Sequence, residues 1–456
     1  MTNLVRRWIL APLLACFALG CGRIDYQPHG RDGAVGDAEI APDAGLDAAG
    51  LDAAGLDAAG LDAGGLDGDV DGGADAGPPD GGFDPTRPLV ADCSHRWIET
   101  TDIDSNFKVF ATDEAVIVAG YGGPSPRVDA HRALDGSIGW TRDRSGPFAG
   151  GAAARYAVLQ ETGGGAATYA VVDLVDGSTF ASFQYVYGTF GWGGDSIGVR
   201  DDGSSLIGMI TTPTDTSGAP VAEWSVSVSG VSGALTGPGP ATILARHAPS
   251  GAYELHEQVA NDTRTFDILA LPDGRWSFAV QSGSTAMTFG SHVLPPATTE
   301  LVTLNDDLSF DSALPLAAIV SDAALVPGTT TRVLRDGAGV AAYDDAGQRW
   351  RRADCAGLLA TSNGRVHVLG SIAGTTFCGA MLPPAASGVV LATLDATTGE
   401  TVAARWLDTT VGASSLAIAR DGDAYVVYRY AGEAGLSLCS EPLPATGRAT
   451  RAILAL

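Results

Sequence analysis

Lysine is almost absent from this chain of 456 residues, which contains only one, Lys108. Acidic residues outnumber basic ones by 53 to 27, so the formal net charge is −26 and the pI is near 4.4. A surface of this sign repels phosphate backbones, so nucleic acid is not an expected partner. The use of arginine in place of lysine indicates a GC-rich genome rather than a function.

Several motifs that carry chemistry are also missing. HExxH, a P-loop and a nucleotide-binding GxGxxG do not occur, and neither CxxC nor HxxxH spacing suggests zinc. Asp67–Gly72 begins like a calcium loop, but Pro78 stands where that loop needs glutamate. The acid pairs Asp201-Asp202, Asp306-Asp307 and Asp344-Asp345 fall at turns, where aspartate is favoured for backbone reasons. We therefore predict no catalytic residue, no metal site and no cofactor.

Residues 1–20 are typical of a targeting segment. Arginines precede the apolar run Trp8–Leu19, which is shorter than the roughly 18 residues needed to span a bilayer. The sequence Ala18-Leu19-Gly20-Cys21 then resembles the lipobox of bacterial lipoproteins, with a plain secretory signal as the alternative. The resemblance implies lipidation at Cys21, and Gly22 after it implies the outer membrane, facing either the periplasm or the cell surface.

Residues 21–88 are predicted to be a disordered acidic tether. The five-residue unit Gly45-Leu46-Asp47-Ala48-Ala49 recurs, and a period of five fits neither helix nor strand. One leucine per unit buries too little surface to offset the entropy of ordering. Residues 22–88 hold 15 acidic side chains and three arginines, which repel one another overall and extend the chain to roughly 45 Å. The tether would hold residues 89–456 away from a membrane.

Residues 89–456 contain a repeated unit whose clearest copy is Asn363–Trp406. Asn363-Gly364 is a strong hairpin signal, and alternating apolar strands follow it. The two hairpins of the unit recur as Asp-Gly and related turns, and Trp140 and Trp350 occupy the position of Trp406. Repeats of roughly 40 to 50 residues, each carrying a tryptophan, indicate the blades of an all-β propeller.

About seven four-stranded blades are predicted, with six or eight as alternatives. The predicted units are Thr101–Arg144, Gly146–Tyr187, Gly188–Arg246, His247–Ala318, Ile319–Asp354, Cys355–Asp408 and Thr409–Leu456. The last unit is one strand short, and the segment around Trp97 resembles the missing tryptophan strand. We therefore predict that this N-terminal strand completes the last blade and closes the ring.

Four cysteines remain after processing at Cys21, and an even number in an exported chain suggests disulfides with three possible connectivities. Cys378 and Cys439 occupy the same loop position in neighbouring units. Cys93 and Cys355 both lie near a tryptophan strand. We predict the pairs Cys355–Cys378 within blade six and Cys93–Cys439 within the last blade.

The unit resembles the repeats of bacterial outer-surface β-propeller proteins. The residues that carry this likeness are Gly364–Gly370, Phe377-Cys378-Gly379, Leu391–Asp395 and Trp406. The ending Asp-Gly-x-x-x-Trp is also distantly similar to the blades of quinoproteins (PQQ-like repeats). The resemblance implies a propeller and a surface location, and it implies no activity, since propellers host many functions.

Several polar and aromatic residues are of types that can form sites. His367 alternates with valines and is predicted to be a packed or surface histidine. His131 lies near Asp129 and Asp135, which indicates surface polar groups. Trp97, Trp140, Trp350 and Trp406 could stack on sugars, but their repeating positions favour packing between blades.

We therefore predict a cell-envelope lipoprotein that presents a propeller as a binding module. Its expected partners are the membrane, through Cys21, and another envelope protein or an extracellular polysaccharide. The alternatives are an enzyme that acts on polysaccharide or uses a quinone, and a purely structural envelope protein. Binding predicts no clustered acids in the central channel, whereas an enzyme predicts at least two carboxylates, or a calcium-bound quinone, there.

Overall fold

The computed structural model describes residues 83–122, 125–143, 150–161, 166–187, 191–212, 223–229, 231–238, 241–260, 264–372, 374–384, 388–409, 413–430, 437–438, 441–444 and 450–456. Within these residues the regular secondary structure consists of strands, which confirms the all-β prediction. No helix in the described part of the chain is long and apolar enough to cross a membrane.

The strands form a seven-bladed β-propeller. The chain enters through β1 (Trp97–Thr101). Blade one contains β2 (Ile103–Ala111), β3 (Ala115–Gly122), β4 (Ser125–Arg132) and β5 (Ile138–Asp143). Blade two contains β6 (Gly150–Ala152), β7 (Tyr156–Gln160), β8 (Ala166–Asp173) and β9 (Thr179–Tyr187). Blade three begins with β10 (Gly191–Val199) and β11 (Ser205–Thr212), continues through the hairpin β12 (Glu223–Val228) and β13 (Val231–Pro238), and ends with β14 (Ala241–His247) and β15 (Tyr253–Ala260).

The remaining blades follow the same antiparallel order. Blade four contains β16 (Arg264–Ala270), β17 (Trp276–Gln281), the short hairpin β18 (Met287–Phe289) and β19 (His292–Leu294), β20 (Thr299–Leu304) and β21 (Phe310–Pro315). Blade five contains β22 (Val320–Leu325), β23 (Arg332–Asp336), β24 (Gly339–Asp344) and β25 (Gly347–Arg352). Blade six contains β26 (Leu358–Ser362), β27 (Arg365–Ser371), the short hairpin β28 (Thr376–Phe377) and β29 (Ala380–Met381), β30 (Val389–Asp395) and β31 (Thr401–Leu407). Blade seven contains β32 (Ala413–Ile418), β33 (Ala424–Tyr430), the short hairpin β34 (Ser437–Leu438) and β35 (Glu441–Pro442), and β36 (Thr450–Ala455).

The N-terminal strand closes the ring, as predicted. β1 pairs antiparallel with β36, with Trp97 opposite Ala455, and becomes the outer strand of blade seven. The first strands of blades one and seven, β2 and β32, also contact each other. Before it enters β1, the chain runs along the outer edge of blade six, where the amide of Asp92 donates to the carbonyl of Trp406 at 2.9 Å.

The predicted boundary between units three and four is wrong. The prediction puts it between Arg246 and His247, whereas blade three continues through β15 to Ala260. The cause is the hairpin β12–β13, which lies between β11 and β14 in the chain. This hairpin leaves its own blade and pairs with β9, so the sheet of blade two has six strands. A hairpin that joins a neighbouring sheet has the same alternating pattern as a regular blade strand, so spacing alone misplaces the boundary.

Tryptophans on outer strands dock onto turns of the next blade. The pairs are Trp97 with Gly136, Trp140 with Gly177, and Trp350 with Gly399. All three glycines have φ of 73° or 74°, and a Cβ there would lie 2.6 or 2.7 Å from ring atoms of the tryptophan. Only glycine combines this backbone conformation with so close an approach. Each indole Nε1 donates to a carbonyl of the same turn, those of Ala133, Leu174 and Ala396. The prediction that these tryptophans pack between blades is confirmed.

Candidate functional site

The central channel opens into a cavity of about 680 Å³ at one end. The wall of this cavity is formed by residues near the C-terminal end of the first strand of every blade. One residue from each blade in turn illustrates this: Phe110, Ala152, Ile197, Leu269, Leu325, Thr361 and Ile418. These walls are mostly apolar. Because seven separate chain segments converge there, the cavity is a property of the closed ring.

We call this cavity the mouth. Charged turn residues form its rim. Arg420, after β32, forms an ion pair at 3.0 Å with Asp201, after β10, so the contact joins blades seven and three. Asp201 also accepts from the amide of Ala154 in blade two, and Asp113 in blade one accepts from the amide of Arg420, both at 3.0 Å. The mouth therefore combines an apolar interior with polar groups that several blades hold in place.

The other acidic turn residues also connect blades. Asp306 of blade four forms ion pairs with two arginines of blade three, Arg200 at 2.7 Å and Arg246 at 2.8 Å. Asp345 pairs with Arg275 of blade four and with buried Arg332, both at 2.7 Å. The interpretation of the paired acids as turn residues holds, and the structure adds that one member of each pair, Asp201, Asp306 or Asp345, forms an ion pair with an arginine of another blade.

Two aspartates that the sequence analysis did not name lie on first strands of neighbouring blades. Asp267 is on β16 and Asp322 is on β22. A carboxylate oxygen of Asp267 accepts from the amide of Ala323 at 3.0 Å, and one of Asp322 accepts from the amide of Leu359 at 3.3 Å. Each carboxylate thus bonds the backbone of the following blade. This equivalence in successive blades indicates a structural use of both side chains.

The two aspartates are electrostatically coupled. Burial and, after it, the negative charge of Asp267 together raise the pKa of Asp322 to about 6. Burial also raises the pKa of Asp267. Lys108 on β2 and Arg335 on β23 act in the opposite direction on both groups. The positive charge of Lys108, the single lysine of the protein, therefore favours the ionised form of both carboxylates. The central region thus contains charges of both signs.

A binding module is expected to have no clustered acids in its central channel, and this expectation is not met. The carboxylates of Asp267 and Asp322 influence each other from adjacent first strands. A pair of this kind favours general acid–base chemistry when both oxygens are free to reach a substrate. Here one oxygen of each carboxylate already accepts a backbone amide. No group of three or more His, Cys, Asp or Glu residues in the described chain is placed to hold a metal ion.

The strand β10 contains the spacing G-x-S-x-G at residues 194–198. In hydrolases the serine of this motif lies on a sharp turn from a strand into a helix. In this protein all five residues lie within β10, whose register with β11 shifts between Gly193 and Ser196. The spacing therefore does not form a nucleophile elbow.

The histidines named from the sequence are buried structural groups. His367 is buried between the hydroxyls of Ser362 and Thr393, and burial lowers its pKa to about 4. The prediction that it is a packed or surface residue is confirmed in its packed form. The prediction for His131 is wrong, because His131 and Asp129 are both buried. The hydroxyl of Thr101 donates to Asp129 at 3.1 Å, so polar partners inside the fold replace solvent.

One of the two predicted disulfides is confirmed. Cys355 and Cys378 are bonded, with Cα atoms 4.7 Å apart, and both side chains are fully buried. Cys93 also takes part in a disulfide. Its predicted partner, Cys439, lies outside the described residues, so that pairing stays a prediction. Cys21, the predicted lipidation site, lies outside them as well.

No family model matches this chain, and no curated protein matches it. Among solved structures, BamB from Moraxella catarrhalis is similar at 14% identity and a TM-score of 0.34, covering 76% of this chain and 84% of that chain. A protein of unknown function from Bacteroides caccae is similar at 10% identity and a TM-score of 0.35, covering 64% of this chain and 94% of that chain. Likeness at these values does not bear on what the chain binds.

Proposed function

We propose that this protein is a lipoprotein of the cell envelope whose propeller is a binding module. In this proposal Cys21 carries the lipid in the outer membrane, residues 21–88 form the tether, and residues 89–456 bind the ligand. The support for the anchor is the sequence around Cys21. The ligand class is a segment of another envelope protein or an extracellular polysaccharide.

The observation that carries the binding role is the mouth. A concave site of several hundred Å³ with apolar walls and a few fixed polar groups is typical of ligand sites. The mouth has about 680 Å³, walls from every blade, and the charges of Arg420 and Asp201 at its rim. A ligand that inserts an apolar group and bonds the rim would use both features.

The anchor is tested by Cys21→Ser in cells that make the full-length protein, with Cys16→Ser as the matched control. We expect Cys21→Ser to move the protein from the membrane to the soluble fraction and to abolish labelling by a radioactive fatty acid. Cys16→Ser should change neither result. Unchanged fractionation of Cys21→Ser would contradict the proposed anchor.

The mouth is tested by replacing Pro272 with a photoreactive phenylalanine in the native cells. Pro272 is an exposed residue at the mouth. Val293 is the matched control, because it belongs to the same blade, is 57% exposed and lies outside the mouth. We expect an envelope component to be cross-linked at Pro272 and not at Val293. No product, or the same product at both positions, would argue against the mouth as the binding site.

The enzyme remains the second candidate because of Asp267 and Asp322. Two coupled carboxylates are the groups that glycoside hydrolysis requires. The release of reducing sugar from isolated envelope polysaccharide, compared between the wild type and Asp322→Asn, tests this candidate. Activity that is lost in the variant would favour the enzyme over the binding module, whereas no activity in either protein would leave binding as the better account.

A further inference from the structure

A second cavity, of about 540 Å³, lies between blades one and two. We call it the groove. Its lining includes small buried side chains, the half-buried ring of Trp140, and Leu174 of the following turn. Three buried alanines, Ala115, Ala130 and Ala133, line the groove together with the half-buried Trp140.

Large apolar side chains stand beside the groove instead of filling it. Leu134 is 86% exposed and Val175 is 61% exposed, and both contribute to its wall. They occupy equivalent positions, since each directly precedes the aspartate of an Asp-Gly turn that receives a tryptophan. Exposed apolar residues grouped around a concavity mark a binding surface.

The charge of the groove is negative. Three carboxylates, those of Asp113, Glu114 and Asp176, line it together with one guanidinium, that of Arg132. Hydrogen bonds from Ser178 lower the pKa of Asp176, so this carboxylate is ionised at neutral pH. An apolar site with this rim suits an aliphatic side chain flanked by cations.

Resting on the proposed binding function, we propose that the groove docks a partner protein through an extended segment in which aliphatic residues are flanked by lysine or arginine. The chain's own tether is excluded by its charge, since residues 22–88 contain 15 acidic residues and three arginines. A second copy docked groove to groove is excluded in the same way, because two grooves facing each other would oppose like carboxylates. Anionic lipid is repelled for the same reason.

The probe is a fluorescent peptide with the sequence Lys-Lys-Leu-Val-Lys-Lys, measured by anisotropy with the full chain carrying Cys21→Ser. A peptide with glutamate in place of every lysine is the charge control. We expect the basic peptide to bind, the acidic one not to bind, and added salt to weaken binding because exposed charges are screened. Leu134→Ala combined with Val175→Ala should weaken binding about tenfold or more, since two aliphatic contacts are lost.

The matched control variant is Ile319→Ala, which removes another half-exposed aliphatic residue far along the chain, and it should bind like the wild type. Equal binding by the Leu134→Ala/Val175→Ala variant and the wild type would mean that the peptide only follows the overall negative charge, and this would overturn the proposal. Absence of binding to the wild type would overturn it as well. Cross-linking at Pro272 is independent of these variants, so failure at the groove is distinguishable from failure at the mouth.

Discussion

The same tryptophan-docking contact is tight between blades five and six and loose between blades one and two. Trp350 is 8% exposed, and its Nε1 donates to the carbonyl of Ala396 at 2.9 Å. Trp140 is half buried, and its Nε1 donates to the carbonyl of Leu174 at 3.3 Å. The turn glycines have nearly identical conformations, so the difference arises around the tryptophan rather than in the turn.

The two cores differ in the size of their side chains. Five of the ten buried residues that pack between blades one and two are alanines. Between blades five and six only three of sixteen are alanines, and valine and leucine predominate. Larger side chains cover Trp350, whereas alanines leave Trp140 beside the groove. One motif therefore serves stability in one place and leaves room for a ligand in another.

The inner ends of the two interfaces differ as well. Between blades five and six, Asp322 accepts from the amide of Leu359, and Arg335 donates to the carbonyl of Gly357 at 2.9 Å. Blade two begins with β6, Gly150–Ala152, a short strand without a polar side chain. The interface of blades five and six is thus bonded at both ends, and we expect it to contribute more to stability.

The largest expected effect comes from removing the docked tryptophans. Trp350→Ala should lower the free energy of unfolding by about 3 to 5 kcal/mol, because it leaves a cavity in a closed core. Trp140→Ala should cost only about 1 to 2 kcal/mol, since its ring is already partly exposed and buries less apolar surface. Denaturant unfolding followed by circular dichroism measures both values. Equal losses in the two variants would break the comparison.

The next effect comes from the disulfide that strengthens only the tighter interface. Cys355 and Cys378 are separated by 23 residues, and closing a loop of this size stabilises a fold by about 3 kcal/mol on the chain-entropy model. The variant Cys355→Ala/Cys378→Ala should lose about this amount in the same unfolding experiment. The single variant Cys378→Ala is the control, because a bond broken from one side should cost at least as much. A loss well below 1 kcal/mol would mean that packing alone holds this interface.

The ring and its closure were predictable because local signals agree across blades. The turns at Gly203, Gly274, Gly364 and Gly422 all join first to second strands with positive φ, as their dipeptides predict. The last unit is one strand short in the sequence, and the segment around Trp97 resembles that strand, so the closure of the ring could be predicted. The hairpin β12–β13 was not predictable, since pairing with a neighbouring sheet is decided by partners distant in sequence.

The candidate sites were less accessible from the sequence. Asp267 and Asp322 are single aspartates in unremarkable strands, and only the ring brings them into electrostatic contact. The groove is lined largely by alanines, which are common residues in any strand and give no signal of a cavity. A signal did exist at Leu134 and Val175, where an aliphatic residue precedes the turn aspartate although that position faces solvent. Recognising it requires knowing which face of the blade the turn occupies.

The smallest effect concerns the inner end of the tighter interface and depends on pH. The folded-state pKa of Asp322 is about 6, above the ordinary value of 3.8, so the folded protein retains a proton there that the unfolded chain has lost. The stability that this retained proton provides is fully present below pH 4 and is lost as the pH rises through about 6. Asp322→Asn does not titrate and keeps an oxygen for the amide of Leu359. We expect the variant to match the wild type near pH 4 and to be more stable by about 1 to 2 kcal/mol above pH 7. Unfolding curves at these two pH values decide the matter, and a variant less stable than the wild type at neutral pH would mean that the attraction between ionised Asp322 and Arg335 outweighs the cost of burying the charge.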